Sequence, residues 1–317
     1  MILNSTGQVR DNFYILGLAT YPIHLLDGPR PVLFDGGTSS AGKLYVEAIR
    51  LLLGSRQPEI LFLTHAHWDH CGAVFYLKEA FPDMKIAASP KTAQILKKPG
   101  ALELIAKLNK DAQGILRDIL GIDSSQLLDG TFRPFDIDIE IEDKQVFDLG
   151  GGSTVEILAS PGHTRDHHSY YLPDKKILIA GDSAGCIDNS GSMVCEFLYD
   201  YDAYISTITK LSALSVEVFC QGHRLVFVGR DEVRAFFESS MREAKRFKKQ
   251  VYQLLDEEHG SIDRVVQRIK AEHYDILAEP KQPEIPYLLN LTAQVKHLAG
   301  KKAKPTEPEK EYARKKV

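Results

Sequence analysis

Residues 59–72 read Glu59-Ile60-Leu61-Phe62-Leu63-Thr64-His65-Ala66-His67-Trp68-Asp69-His70-Cys71-Gly72. The first half is a short apolar run without polar alternation, which predicts a strand buried on both faces. The second half puts three imidazoles and a carboxylate in one tight turn at that strand's C-terminal end. Neutral imidazole and carboxylate suit a borderline divalent ion such as zinc, iron or manganese. The spacing lets His65 and His67 face one ion while Asp69 and His70 face another.

Three further candidate ligands follow other apolar runs: His163 in Ser160-Pro161-Gly162-His163-Thr164, Asp182 in Ala180-Gly181-Asp182, and His223 in Gln221-Gly222-His223. A single histidine after a strand is more often structural than ligating. Three such positions accompanying a His-x-His-x-Asp-His turn reverse those odds.

Around these motifs, short apolar runs at 13–18, 21–26 and 31–34 predict an antiparallel opening. Ser40 is a candidate cap for a helix carrying Leu44, Val46, Ile49, Leu52 and Leu53, and a helix at 72–81 precedes a strand at 85–89. Residues 90–121 read as a mainly helical insertion. Strands are expected at 132–141, 146–149, 154–159, 169–172, 177–180 and 216–220, with a helix at 202–214 before the last. Two strand-rich halves, each carrying helices, predict an α/β (α+β) architecture of two sheets packed face to face with helices outside. The final third is helical: an amphipathic helix over 231–257, a second capped by Ser261, and a third over 287–298. From Gly300 to residue 317 the Lys-rich tail lacks apolar periodicity and is expected to be unstructured.

At 317 residues, 44% hydrophobic and 26% charged, the chain has ordinary globular composition. Its 39 basic against 43 acidic residues give a net charge of −4, so no global positive field draws in nucleic acid or an anionic membrane. No apolar run is long enough to span a bilayer, and the start has no basic region leading into one, so a soluble cytoplasmic protein is expected. Cys71, Cys186, Cys195 and Cys220 are scattered, as suits reduced thiols.

The ordered set of His-x-His-x-Asp-His turn, later Gly-His, Gly-Asp and last Gly-His resembles the metallo-β-lactamase fold superfamily over roughly residues 1–230. The resemblance implies a four-layer αββα catalytic domain at 1–230 and two divalent metal ions, zinc, iron or manganese. One ion would be held by His65, His67 and His163, the other by Asp69, His70 and His223, with Asp182 bridging. Some true β-lactamases carry a cysteine where Asp182 stands, so the chain is more similar to the hydroxyacylglutathione hydrolase (glyoxalase II) and phosphodiesterase branches. Thr64–Gly72, Gly162-His-Thr-Arg-Asp166-His167, Gly181–Gly185 and the helical region 231–299 resemble the bacterial quinolone-signal-response proteins, acyl-CoA thioesterases whose C-terminal helices cover the active site.

Other residues take supporting parts. Asp35, in Phe34-Asp35-Gly36-Gly37, resembles the superfamily's early Asp-x-Gly element and is expected behind the metal loop. His167 is expected to hydrogen-bond just outside the ligands, while His24, His259, His273 and His297 read as packing or surface residues. Arg224 is a candidate for a substrate carboxylate or phosphate, and Met193, Phe197 and Tyr199 for lining an acyl pocket. The basic cluster Arg242, Lys245, Arg246, Lys248 and Lys249 reads mainly as a solvated helix face.

The leading expectation is a dinuclear metal hydrolase acting on a small-molecule acyl thioester of the acyl-CoA type. A hydroxide between the ions would attack the carbonyl, with Asp69 and Asp182 as the catalytic carboxylates. The alternatives are a metal-dependent phosphodiesterase and a partner-binding regulator that retains the fold. The C-terminal helices are also a candidate homodimer surface.

Overall fold

The computed structural model describes residues 1–188, 190–278 and 281–303. The elements are, in chain order, β1 (Ile2–Leu3), β2 (Gly7–Arg10), β3 (Phe13–Gly17), β4 (Pro22–Leu26), β5 (Val32–Phe34), α1 (Gly42–Leu53), β6 (Ile60–Phe62), α2 (Trp68–Cys71), α3 (Val74–Ala80), β7 (Lys85–Ala88), α4 (Pro90–Ile95), α5 (Pro99–Asp118), β8 (Ile139–Glu140), β9 (Val146–Asp148), β10 (Thr154–Ala159), β11 (His168–Leu172), β12 (Ile177–Gly181), β13 (Cys186–Ile187), β14 (Met193–Val194), α6 (Tyr201–Ser212), β15 (Val218–Gln221), β16 (Val226–Val228), α7 (Arg230–Glu257), α8 (Ile262–His273) and α9 (Glu284–Ala303). One seven-stranded sheet runs β2-β3-β4-β5-β6-β7-β8, and the other runs β1-β16-β15-β12-β11-β10-β9.

The period-two geometry of a strand explains why the central runs are apolar throughout. In β6, Ile60 and Phe62 point between the sheets while Leu61 points to the helices outside. In β12, Ile177 and Ile179 enter the same inter-sheet core, and Leu178 and Ala180 meet the opposite helical layer. Helices α1, α3 and α5 cover the first sheet, and α6, α7, α8 and α9 cover the second. The result is the expected αββα sandwich. The first-half strands β5 to β8 pair in parallel, as do β12 and β15, so their C-terminal ends gather along one edge.

Several local expectations change. Within 132–141 only Ile139–Glu140 is strand: Pro134 offers no N–H to a ladder, and Phe132 plugs into the helical layer against Phe135. Ser40 does not cap α1; it lies buried in a single 3₁₀ turn over Ser39–Ala41, its carbonyl accepting from Leu128. The third C-terminal helix begins at Glu284 and runs through Gly300 to Ala303, whereas residues 304–317 lie outside the described residues. Met193 sits in the small hairpin β13–β14 rather than in an open loop. Ser261 does cap α8, accepting from the Arg264 N–H. Among the described residues, no helix is long and apolar enough to cross a membrane.

His24 is buried on β4, stacked on Phe13 at 5.8 Å, and neither ring nitrogen has a partner among the described residues. Burial pushes its pKa down to about 4. Between the ordinary value near 6.5 and that lowered value, the unfolded chain takes up a proton that the folded chain refuses. Stability is therefore lost as pH falls through this window. In denaturant titrations of the metal-free protein, wild type should lose about 2 kcal/mol more than His24→Leu between pH 7.5 and pH 5.

Candidate metal centre

Each site segment hangs from the C-terminal end of a strand. His65 and His67 follow β6, His163 follows β10, Asp182 follows β12 and His223 follows β15; Asp69 and His70 lie in the short helix α2. Two groups of potential ligand atoms form: His65, His67, His163 and Asp182, and beside them Asp69, His70 and His223, with the atoms of each group within 4.8 Å of one another. Asp182 stands between them. Its Oδ2 lies 3.7 Å from His65 Nε2, 3.4 Å from His163 Nε2 and 3.3 Å from His70 Nε2, while its Oδ1 lies 3.5 Å from His223 Nε2. His223 Nε2 is also 3.7 Å from Asp69 Oδ2.

These separations suit a cation. A tetrahedral shell with bonds of roughly 2.1 Å sets its ligand atoms about 3.4 Å apart. His65 Nε2, His70 Nε2 and Asp182 Oδ1 are buried with no hydrogen-bond partner, a costly state unless a cation takes their lone pairs. His163 Nε2 and His67 Nδ1 face each other at 3.1 Å. Zinc, iron and manganese all accept this nitrogen and oxygen donor set.

The electrostatics agree. Burial pulls His65 and His67 down and brings His163 to about 3, so these imidazoles are neutral donors. Burial also opposes charge on His70 and His223, but the Asp182 carboxylate outweighs it, helped by Asp35 for His70 and by Asp69 for His223. His70 rises well above its usual value and His223 to about 9. Asp182 in turn is held well below the usual carboxylate range by His70 and His223, against the pull of its burial. Positive charge is wanted at these two histidines, each of which faces Asp182 and one further carboxylate.

The second ring of contacts fixes these groups. Asp35, buried after β5, accepts from the Thr64 N–H at 2.8 Å and Thr64 Oγ1 at 2.9 Å through Oδ1, and lies 2.8 Å from His70 Nδ1 through Oδ2. His167 Nδ1 meets Ser160 Oγ at 2.8 Å, and its Nε2 accepts from the Asp182 backbone N–H at 3.2 Å, so the imidazole holds the main chain from which the Asp182 carboxylate projects. His163 Nδ1 faces the Glu196 carbonyl at 2.6 Å, and His223 Nδ1 faces the Thr20 carbonyl at 2.9 Å. Each link frees Nε2 for the centre.

Sequence reading missed three of the groups that build the site. The Asp166 carboxylate accepts from Ala66 N–H at 3.0 Å and Thr92 Oγ1 at 2.9 Å, tying the metal loop to α4. Asn109 of α5 accepts from Ser39 N–H at 2.8 Å and donates to the Trp68 carbonyl at 3.2 Å. Glu196 is buried, its pKa pushed up to about 8 by burial and by the Asp182 carboxylate, and it accepts from Asn290 of α9 at 3.3 Å. None of the three carries a local pattern of its own; Asp166 enters the sequence reading only within the segment 162–167, with no part assigned to it.

The substrate-side expectations divide. Arg224, at φ 63°, follows His223, and its guanidinium has no partner among the described residues. Met193 is half-buried against the helical core. Phe197 is corrected: it is 0% exposed, wedged among Tyr201, Tyr204, Phe247 and His297, so it packs the helical layer rather than facing an open acyl pocket. Tyr199 is 52% exposed, and its N–H reaches the His163 carbonyl at 3.1 Å. His297 accepts from the Tyr201 N–H at 3.0 Å, and His259 lies in the turn after α7 at φ 50°.

A family model for the metallo-beta-lactamase superfamily matches residues 25–223. The chain belongs to the metallo-beta-lactamase superfamily. It is 26% identical over 206 residues to the beta-lactamase-like protein 2 homolog of Caenorhabditis elegans, covering 64% of this chain and 56% of that one. An atrochrysone carboxyl ACP thioesterase of Paecilomyces divaricatus is 26% identical over 227 residues, covering 71% and 56%. A hydroxyacylglutathione hydrolase of Mesorhizobium japonicum is 26% identical over 168 residues, covering 52% and 48%. The chain thus spans about half the length of the curated relatives it matches. Among solved structures, a superfamily protein of Thermus thermophilus covers 92% of this chain and 93% of its own at TM-score 0.62 and 16% identity. An archaeal member from Sulfolobus tokodaii covers 92% and 100% at 0.57 and 20%. These likenesses show the fold.

Gly222 has no room for a side chain, since a Cβ there would overlap Asp182 Oδ1. Gly222→Ala should displace that carboxylate and weaken metal binding about 10- to 100-fold in chelator competition, with the circular-dichroism spectrum unchanged.

Proposed function

We propose that the protein is a dinuclear metal-dependent hydrolase cleaving an acyl thioester of a small molecule, of the acyl-CoA type, in a reducing cytoplasmic compartment. The observation that carries the reading is the pair of adjoining donor groups that share the face of Asp182. The thioesterase and hydroxyacylglutathione hydrolase relatives favour an acyl thioester as the scissile group. His65, His67 and His163 would hold one ion and Asp69, His70 and His223 the other, with Asp182 bridging. Divalent ions bound there would supply an acidified water and a Lewis acid for the carbonyl.

The chain's own residues do the rest. Asp69, at the accessible rim beside His223, orients the attacking water and takes up its proton. Asp182 holds the centre of negative charge fixed between the histidines, so little rearrangement accompanies charge development. A thiolate departs without a strong general acid. Arg224 offers a cation that is unpaired among the described residues for the substrate's carboxylate or phosphate.

Thiol release should be measured from a panel of aliphatic and aromatic acyl-CoA thioesters with metal-reconstituted protein. Wild type should turn over at least one of them, and Asp182→Asn should lower kcat by a factor of about 10³ or more. No release at full metal loading, with cleavage of bis(p-nitrophenyl) phosphate, would replace the thioesterase reading with a phosphodiesterase. Silence toward both would leave a partner-binding protein.

A further inference from the structure

Tyr21 stands in the link between β3 and β4, only 5% exposed. Its surroundings fix it closely. The Tyr21 carbonyl accepts from the buried Tyr45 hydroxyl at 2.6 Å, the Thr20 carbonyl faces His223 Nδ1, and the Ala19 carbonyl accepts from the Arg224 N–H at 2.7 Å. The ring lies edge-on to Trp68 at 5.3 Å and edge-on to His223 at 6.1 Å. Segment 19–21 is therefore stitched to the loop bearing the last histidine of the centre, and the phenol is wedged between that loop and α2.

Comparable buried phenols find partners: Tyr45 donates to the Tyr21 carbonyl, Tyr170 to the Leu63 carbonyl and Tyr171 to the Ser215 carbonyl. The Tyr21 hydroxyl donates to none of the described residues, and it is absent from the sealed groups, so it keeps access to solvent. A nearly buried phenol ordinarily has a protein partner, whereas this hydroxyl is left to water or to a bound ligand. A fixed donor thus stands beside the centre with no partner for its hydroxyl among the described residues.

We infer that Tyr21 is a substrate-positioning donor, its hydroxyl giving a hydrogen bond to an oxygen of the scissile group on the His223 side of the centre. The inference rests on the hydrolase reading above. It explains why a free hydroxyl is held so firmly by backbone contacts on both sides. No bond is made or broken at the phenol: the proton stays on Tyr21, and the hydrogen bond tightens as negative charge grows on the substrate oxygen.

Tyr21→Phe removes only the hydroxyl and keeps both ring contacts, so the fold should survive. In full-length, metal-reconstituted protein, kcat on the best substrate should fall about 10- to 100-fold with KM within about twofold, metal content and thermal midpoint being unchanged. Equal kcat, or a loss that disappears when activity is expressed per bound metal, would overturn the inference. A second readout needs no turnover: inorganic phosphate, a tetrahedral oxyanion, should bind the metal-loaded variant at least fivefold more weakly than wild type by calorimetry, and equal affinity would overturn the inference. If wild type ignores thioesters but cleaves a phosphodiester, the thioester reading fails, while Tyr21 is still judged on that substrate and on phosphate.

Discussion

A single buried carboxylate sets the geometry on which the site depends. Asp35 follows β5 at φ 63°, a backbone conformation seldom taken by a residue with a side chain, and from there it reaches sideways to the neighbouring strand's end. Its two oxygens satisfy Thr64 and meet His70, so the turn between β6 and α2 has one accessible shape. The Gly36 N–H completes the hold by donating to the His70 carbonyl at 2.6 Å. That hold on the turn carrying His65, His67, Asp69 and His70 comes from within the first half of the chain.

The second half closes on this turn through few, directed bonds. The His168 N–H donates to the Thr64 carbonyl at 2.8 Å, and Asp166 receives the Ala66 N–H. These links cross from one sheet to the other at the edge where the strand ends gather. The helical elements then brace the assembly from outside. Asn109 of α5 locks the start of α2, and Gln294 of α9 donates to the Cys195 carbonyl at 2.7 Å, one residue from the carbonyl that orients His163. The inserted and terminal helices thus act on the centre through backbone groups rather than through ligands of their own.

Electrostatics explains why so polar a cluster is tolerated. Five imidazoles and two carboxylates are packed at the centre, with ring centroids as near as 4.4 Å and several lone pairs unshared. Without positive charge between them, the buried carboxylate of Asp182 and the neutral histidines have little to offset their lost hydration. The arrangement is costly as a core and favourable as a cage for cations. The superfamily membership and the donor chemistry point the same way.

The sequence by itself determined the sandwich and the ligand candidates, because both are written in local patterns. Apolar runs such as 60–63 and 177–180 must be strands covered on both faces, and a His-x-His-x-Asp-His turn brings its own donors within reach of each other. It left open everything that depends on which surface meets which. The pairing of β1 with β16, in the sheet that β2 to β8 do not join, the short ladder at 139–140 where a longer strand was expected, and the burial of Phe197 under α7 and α9 follow from packing. So do Asn109, Asp166, Glu196 and Tyr21, which lie far in sequence from the groups they serve or face and carry no pattern of their own. Local periodicity records what a segment buries, but the identity of its neighbour is fixed only when the two sheets close and the hydrogen bonds across them are counted.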